Sequence, residues 1–309
     1  MAIKISVLFL LSFLANISFC QTEVQRKYSI GEPNELLKFV TSSGQADSIF
    51  TQFHSKSIYY DVYLDTPDKL LLKRGLSLRF RKRIIDSIAE PSYSFQLKSE
   101  MLSANMARME VEEKELSFYL LKSEFGWISM TSVLDSIFHP LEKGSVDLSS
   151  TALNKQLLMI ELWIQFKAGG AVSPFQKLLN NGFLLDDIKQ IKPVIYGKSI
   201  RYRSHVYSNV ANELVSEKNR IRQNELPVYF QENDGSNWLL ESSFDLSTFY
   251  KINEPLRVIS ITEFEVENKF FKVEEASKVL SIFEKYLEEK FDVTVKLDSK
   301  YKQAATFFE

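Results

Sequence analysis

Alternation of apolar and polar residues with a period of two recurs along this 309-residue chain. It predicts an α+β fold: an eight-stranded, mostly antiparallel closed β-barrel with a polar, charged interior and helices packed on the outside. Three observations carry the expectation. Alternating segments outnumber helical patterns. The charged faces of those segments hold rows of both signs, which balance one another inside an enclosed space. The opposite faces are apolar, as a surface covered by helices requires.

The expected strands, in order, are Glu23–Ile30, Ser57–Leu64, Gly75–Arg83, Tyr93–Ser99, Ala107–Glu115, Ser199–Tyr207, Trp238–Leu246, Val258–Asn268 and Val293–Lys296. Helical patterns fall between them. One opens at Pro33, and Glu115–Ser136 contains another, as does a stretch that includes His54. Pro174–Asn181 reads as helix, Glu274–Lys290 repeats its apolar residues near 3.6, and Leu153–Gln165 is compatible with strand or helix. The polar stretch Asn212–Asn237 reads as a long connection.

Composition narrows the function. With 45% hydrophobic and 25% charged residues the chain is ordinary globular material. A formal net charge of −2 argues against a nucleic-acid-coating protein, and no nucleic acid partner is expected. Residues 1–20 read as a secretory signal peptide, with Lys4, an apolar run from Ile5 to Ala15, and Ser18 and Cys20 before Gln21. A secreted or periplasmic protein of residues 21–309 is therefore expected, with no membrane attachment after cleavage. The alternative, a lipid anchor at Cys20, has Phe19 as a poor neighbour. Cys20 is the chain's single cysteine, so disulfides and thiolate metal sites are excluded from the mature part.

The stretch Gly75-Leu-Ser-Leu-Arg-Phe-Arg-Lys-Arg83 sets Leu76, Leu78 and Phe80 on one face and Arg79, Arg81 and Arg83 on the other. Like charges on one strand face repel unless something anionic lies among them. Taken alone, such a row also suits a solvated edge strand. The same period, however, groups Glu23, Gln25 and Lys27; Gln96 and Lys98; Arg108, Glu110 and Glu112; Arg201 and Arg203; and Glu263, Glu265 and Glu267. Guanidiniums and ammoniums beside clustered carboxylates call for phosphate oxygens and a divalent cation together.

These segments, in their order, resemble the CYTH domain of the triphosphate tunnel metalloenzyme superfamily, over about Glu23 to Tyr301. Glu23-Val-Gln-Arg-Lys27 is similar to its opening E-x-E-x-K strand. Tyr63-Leu-Asp-Thr66 through Leu70, Gly75 and Leu78-Arg-Phe-Arg81 is similar to Y-x-D-T…L…G…L-R-x-R. Phe95-Gln-Leu-Lys98, Arg108-Met-Glu-Val-Glu112, Gly182-Phe183 leading to Lys198-Ser-Ile-Arg-Tyr-Arg203, Glu263-Phe-Glu265-Val-Glu267 and Ser299-Lys-Tyr301 follow in family order. Gln25 departs from it, standing where the family has a second acid.

The resemblance implies metal-dependent hydrolysis of a triphosphate or short inorganic polyphosphate, its small-molecule partner, in a basic tunnel. Its alternatives are a non-catalytic polyphosphate- or nucleotide-binding module of the same fold and a polyphosphate polymerase-like domain. Lys27, Arg79, Arg81, Lys98, Arg108, Arg201, Arg203 and Lys300 would hold phosphate. Glu23, Glu110, Glu112, Glu263 and Glu265, with Asp245, would hold Mg²⁺ or Mn²⁺, a set that the neutral Gln25 weakens. Ion pairing that merely neutralises the basic rows is the alternative account of the acids, since it explains the charge balance without a substrate. Of the histidines, only His205, in phase with Arg203, reaches the charged face; Tyr59, Tyr60 and Tyr63 read as core and helix-packing surface.

Overall fold

The computed structural model describes residues 20–42, 44–46, 49–86, 88, 91–102, 111–120, 124–125, 128–129, 137–139, 142, 174–208, 240–252, 254–268, 273–296 and 298–309. Residues 1–19, Arg108, Glu110, Leu153–Gln165 and Asn212–Asn237 lie outside them. The strands are β1 (Cys20–Ile30), β2 (Gly44–Ala46), β3 (Ile49–Asp65), β4 (Leu76–Ile85), β5 (Ser92–Leu102), β6 (Val111–Leu120), β7 (Glu124–Phe125), β8 (Ile128–Ser129), β9 (Lys192–Ser208), β10 (Leu240–Lys251), β11 (Glu254–Asn268) and β12 (Val293–Lys296). The helices are α1 (Pro33–Thr41), α2 (Leu70–Lys73), α3 (Pro174–Asn180), α4 (Leu185–Gln190), α5 (Val273–Lys290) and α6 (Lys300–Phe307).

All pairings in the main sheet are antiparallel, and its neighbours run β11-β10-β9-β3-β4-β5-β6-β1-β12. Strand β1 also pairs with β11, from Gln25 opposite Glu267 to Tyr28 opposite Phe264. Followed from neighbour to neighbour, eight strands thus lead back to the first. Strands β3 and β9 pair over most of their 17 residues each, with irregularities at Phe53/Ser55 and Tyr63/Leu64.

Two expectations are adjusted here. Residues 115–120, the first part of the stretch 115–136 in which a helical pattern is expected, form the end of β6, because the ladder to β5 runs to Leu120 and that to β1 covers residues 115 and 116. His54, also read as helical, lies in β3, where pairing with β9 extends the strand eight residues upstream of the expected start.

The apolar faces build two outer cores. Leu36 and Val40 of α1 and Leu280, Phe283 and Leu287 of α5 cover Tyr28, Phe244, Phe264 and Val266. A second cluster joins Val62, Leu64, Leu78, Phe80, Phe95 and Leu97 to Phe138, Leu178 and Phe183. Burying these side chains is the main stabilising term, at roughly 1.5–3 kcal/mol each. One ion pair crosses the first core: Arg26, on the outer face of β1, donates to Glu284 of α5, and both are buried. No helix among the described residues is long and apolar enough to cross a membrane.

A third apolar cluster lies on the other, charged face of the sheet, at one end only. Tyr63, Ile195, Phe249 and Ile261 meet Tyr301, Ala304, Ala305 and Phe308 of the C-terminal segment. Gly197 makes room there, since a Cβ at that position would fall 2.6 Å from the Phe249 ring.

Candidate anion-binding site

The motif Tyr63-Leu-Asp-Thr66 is a local scaffold. Asp65, fully buried, accepts the backbone N–H of Thr66 (2.8 Å), Leu71 (2.9 Å) and Leu72 (3.1 Å), so its carboxylate satisfies the start of α2. Thr66 Oγ1 accepts the Leu70 N–H at 2.8 Å. Gly75, at φ 66°, turns the chain from α2 into β4 in the left-handed conformation that glycine alone adopts without strain. Tyr301 donates to Asp65 Oδ2 at 2.7 Å, and its ring stacks on Tyr63 at 4.9 Å. The scaffold thereby fixes α6, whose first residue is Lys300.

On β4 and its neighbour β3, register puts Arg79 opposite Tyr63, Arg81 opposite Asp61 and Arg83 opposite Tyr59. Arg81 grips Asp61 with two donors, Nε at 2.6 Å and Nη2 at 2.7 Å. Arg79 donates from Nε to Gln96 at 2.6 Å and stands 3.9 Å from Asp61. Burial opposes ionisation of Asp61, but Arg81 and Arg79 prevail and hold its carboxyl below the ordinary range.

Opposite them is an acidic cluster. Arg201 binds Asp245 with Nε at 2.7 Å and Nη2 at 2.5 Å, and the same Nη2 reaches Glu265 at 2.6 Å. The Lys300 ammonium lies 2.5 Å from Asp245, 2.8 Å from Glu263 and 3.2 Å from Glu265. Despite burial, these carboxylates push Arg201 and Lys300 above their usual values. Glu263 is the exception among the acids: burial and its neighbour Glu265 push it up to about 7, against the pull of Lys300 and Lys27. Glu265 is held well below its ordinary value, burial being outweighed by Lys300 and Arg201.

Tyr59, 3% exposed, sits between the two clusters. The Arg81 guanidinium lies 4.3 Å from its ring centre, those of Arg201 and Arg83 at 5.6 Å and 5.7 Å, and Arg203 donates to its hydroxyl at 2.9 Å. Burial alone would raise the phenol, yet these four cations lower it. Expected as core, Tyr59 instead faces the charged groups; serines at 57 and 199, both buried, flank it and leave room for the ring.

The structure thus brings together Arg79, Arg81, Arg201, Arg203, Lys300, Asp245, Glu263 and Glu265. Lys27, 3% exposed, is opposite Glu265 in register, and the half-buried Lys98 is opposite Glu115. Glu23 and Glu112 are described in backbone only, Glu23 opposite Glu113 and Glu112 opposite Val24. Asp61 and Glu241 escaped the sequence reading, and Gln96, grouped with Lys98, and Tyr59, read as core, were given no role in the site; their spacing was visible, but a carboxylate, amide or phenol in phase with polar neighbours carries no motif of its own. His205 stacks on His54 at 4.2 Å, at the end of the face away from α6.

The described carboxylates do not by themselves fit a divalent metal. No group of three His, Cys, Asp or Glu among the described residues could hold one. Asp245, Glu263 and Glu265 instead surround an ammonium, which takes the position of a cation. What the arrangement presents is a row of forked donors, suited to bidentate contact with phosphate oxygens.

The sequence matches no protein-family model and no curated protein sequence. Solved structures do match. The PH1819 protein of Pyrococcus horikoshii is 13% identical, with a TM-score of 0.45, over 92% of this chain and 98% of its own. An adenylyl cyclase candidate from Hippeastrum, described as having a dominant triphosphatase activity, is 14% identical with a TM-score of 0.47, covering 92% and 95%. An adenylate cyclase candidate from Bacillus halodurans is 15% identical with a TM-score of 0.44, covering 92% and 97%. With TM-scores below 0.5, these similarities carry nothing about substrate or activity.

Proposed function

We propose that this chain binds a linear phosphoanhydride, a triphosphate or inorganic polyphosphate, inside a tunnel closed by its eight strands. The single observation that carries the reading is the convergence of guanidiniums from non-adjacent β4 and β9 on one ring, that of Tyr59 on β3. Packing like charges this closely is costly, and a ligand with regularly spaced anionic oxygens relieves it. Binding would exchange intramolecular carboxylates for phosphate: Arg81 would release Asp61, and Arg201 and Lys300 would loosen their hold on Asp245 and Glu265.

Export is a separate proposal, resting on the signal-peptide pattern of residues 1–20; their cleavage would leave β1 starting at Gln21.

A second reading, hydrolysis of the bound anhydride, is favoured by Glu263. A fully buried carboxyl pushed up to about 7 exchanges its proton near neutrality and suits a group that moves a proton to or from water. The experiment is calorimetric titration with tripolyphosphate, followed by phosphate-release assays with and without Mg²⁺ or Mn²⁺. Binding abolished by Arg81→Ala supports the first reading, and phosphate release by wild type but not Glu263→Gln adds the second. Wild-type protein that binds neither tripolyphosphate nor longer polyphosphate ends both.

A further inference from the structure

Depth along the charged face is fixed by α6, which covers the end formed by Tyr63, Ile195, Phe249 and Ile261. Arg79 is opposite Tyr63 and so lies next to that covered end; Arg83, opposite Tyr59, lies four residues farther from it. At strand rise the row spans about 13 Å. Arg203 and Glu241 continue outward on β9 and β10, beyond Arg201 and Asp245.

Arg83 differs from the other three guanidiniums at Tyr59. Arg81 has Asp61, Arg201 has Asp245 and Glu265, and Arg203 has Glu241 at 3.4 Å. Among the described residues Arg83 has no carboxylate at ion-pair distance, and its buried Nε has no hydrogen-bond acceptor. Burial above all lowers its affinity for its own proton, with repulsion from Arg203 and Arg201 adding to it and the pull of Tyr59 and Glu241 opposing it. A buried donor without acceptor is costly, and a cation left facing cations is a place for an anion.

We propose that Arg83 and Arg203, shelved on Tyr59, form a further phosphate position at the outer end of the row, which selects linear polyphosphates longer than triphosphate. The proposal rests on the phosphoanhydride reading above and deepens it. A triphosphate has two P–O–P bridges and reaches from the α6 end only part of the way along the row. Each added phosphate moves the outer end of the ligand toward Arg83. The Tyr59 hydroxyl, accepting from Arg203, keeps that guanidinium turned toward the same place.

The test is calorimetric titration of wild type, Arg83→Ala and Arg83→Lys with tripolyphosphate and with a defined longer linear polyphosphate. Arg83→Ala is expected to lose about tenfold more affinity for the long chain than for tripolyphosphate. Arg83→Lys, which keeps the charge but not the fork, is expected to recover part of that difference. Equal losses at both lengths, or no loss at either, overturn the proposal. Wild type that binds both lengths with equal affinity also overturns it, whereas wild type that binds neither overturns the phosphoanhydride reading itself. Retained tripolyphosphate binding shows that the variant is folded.

Discussion

The Tyr301 hydroxyl donates to Asp65 Oδ2 at 2.7 Å, joining residues 236 positions apart in the chain. That bond links the turn before β4 to the helix that carries Lys300, so the basic row and the acidic cluster are held in one frame. Asp65 accepts three backbone N–H groups and the Tyr301 hydroxyl, with the Thr66 hydroxyl a fifth donor at 3.5 Å. Replacing it with alanine leaves those donors buried without partners and is expected to cost about 3 kcal/mol in urea unfolding. Tyr301→Phe removes one bond and keeps the ring stack on Tyr63, and about 1 kcal/mol is expected. An Asp65→Ala protein as stable as wild type would show that the frame is not held here.

Glu263 gives the chain an unusual dependence of stability on pH. Its folded value, about 7, lies above the ordinary 4.5, so the folded state binds more protons than the unfolded state across that window. Its contribution is therefore full below about pH 4.5 and is lost as pH rises through about 7. Wild type should lose on the order of 2 kcal/mol relative to Glu263→Gln between about pH 5 and about pH 8. Asp61 and Glu265, held low, act in the opposite sense: their stabilisation is present at neutral pH and lost in acid. Denaturant unfolding between about pH 5 and about pH 8 measures the Glu263 slope, and its extension to lower pH the opposite one; parallel curves for the two proteins across the first range would contradict the Glu263 assignment.

Lys300 bears on metal binding. Its ammonium touches three carboxylates, so Lys300→Ala should leave Asp245, Glu263 and Glu265 under-neutralised. The variant is expected to bind Mn²⁺ at least about tenfold more tightly than wild type, measured by calorimetry. Wild type with the tighter Mn²⁺ site would place the cation elsewhere, on carboxylates outside this cluster.

The ion pair between Arg26 and Glu284 tests the opposite face of the sheet. Both are buried, and removing one partner strands the other charge. Glu284→Gln is expected to cost about 3 kcal/mol, and the double replacement Arg26→Met, Glu284→Leu to recover most of it. Tripolyphosphate affinity should not change in either variant, because neither side chain reaches the charged face.

Much of this was legible in the sequence because a strand's side-chain period is two and admits few alternatives. Leu78 and Phe80 fall in the core, and Arg79 and Arg81 on the other side, as alternation requires. Legibility failed where tertiary pairing overrode local pattern: residues 115–120, inside a stretch with helical spacing, are paired with β5, and His54 lies at an irregularity within the long β3–β9 ladder. It failed again at Tyr59, because an aromatic residue in phase with serines reads as packing. Only the arginines arriving from β4 and β9 give it another role.

The apolar plug made by α6 has a consequence for what can enter. The proposed tunnel, stoppered at that end, would admit a polymer only by its tip, and whatever went in would back out by the same mouth. Cyclic metaphosphates, which have no tip to offer, should be turned away.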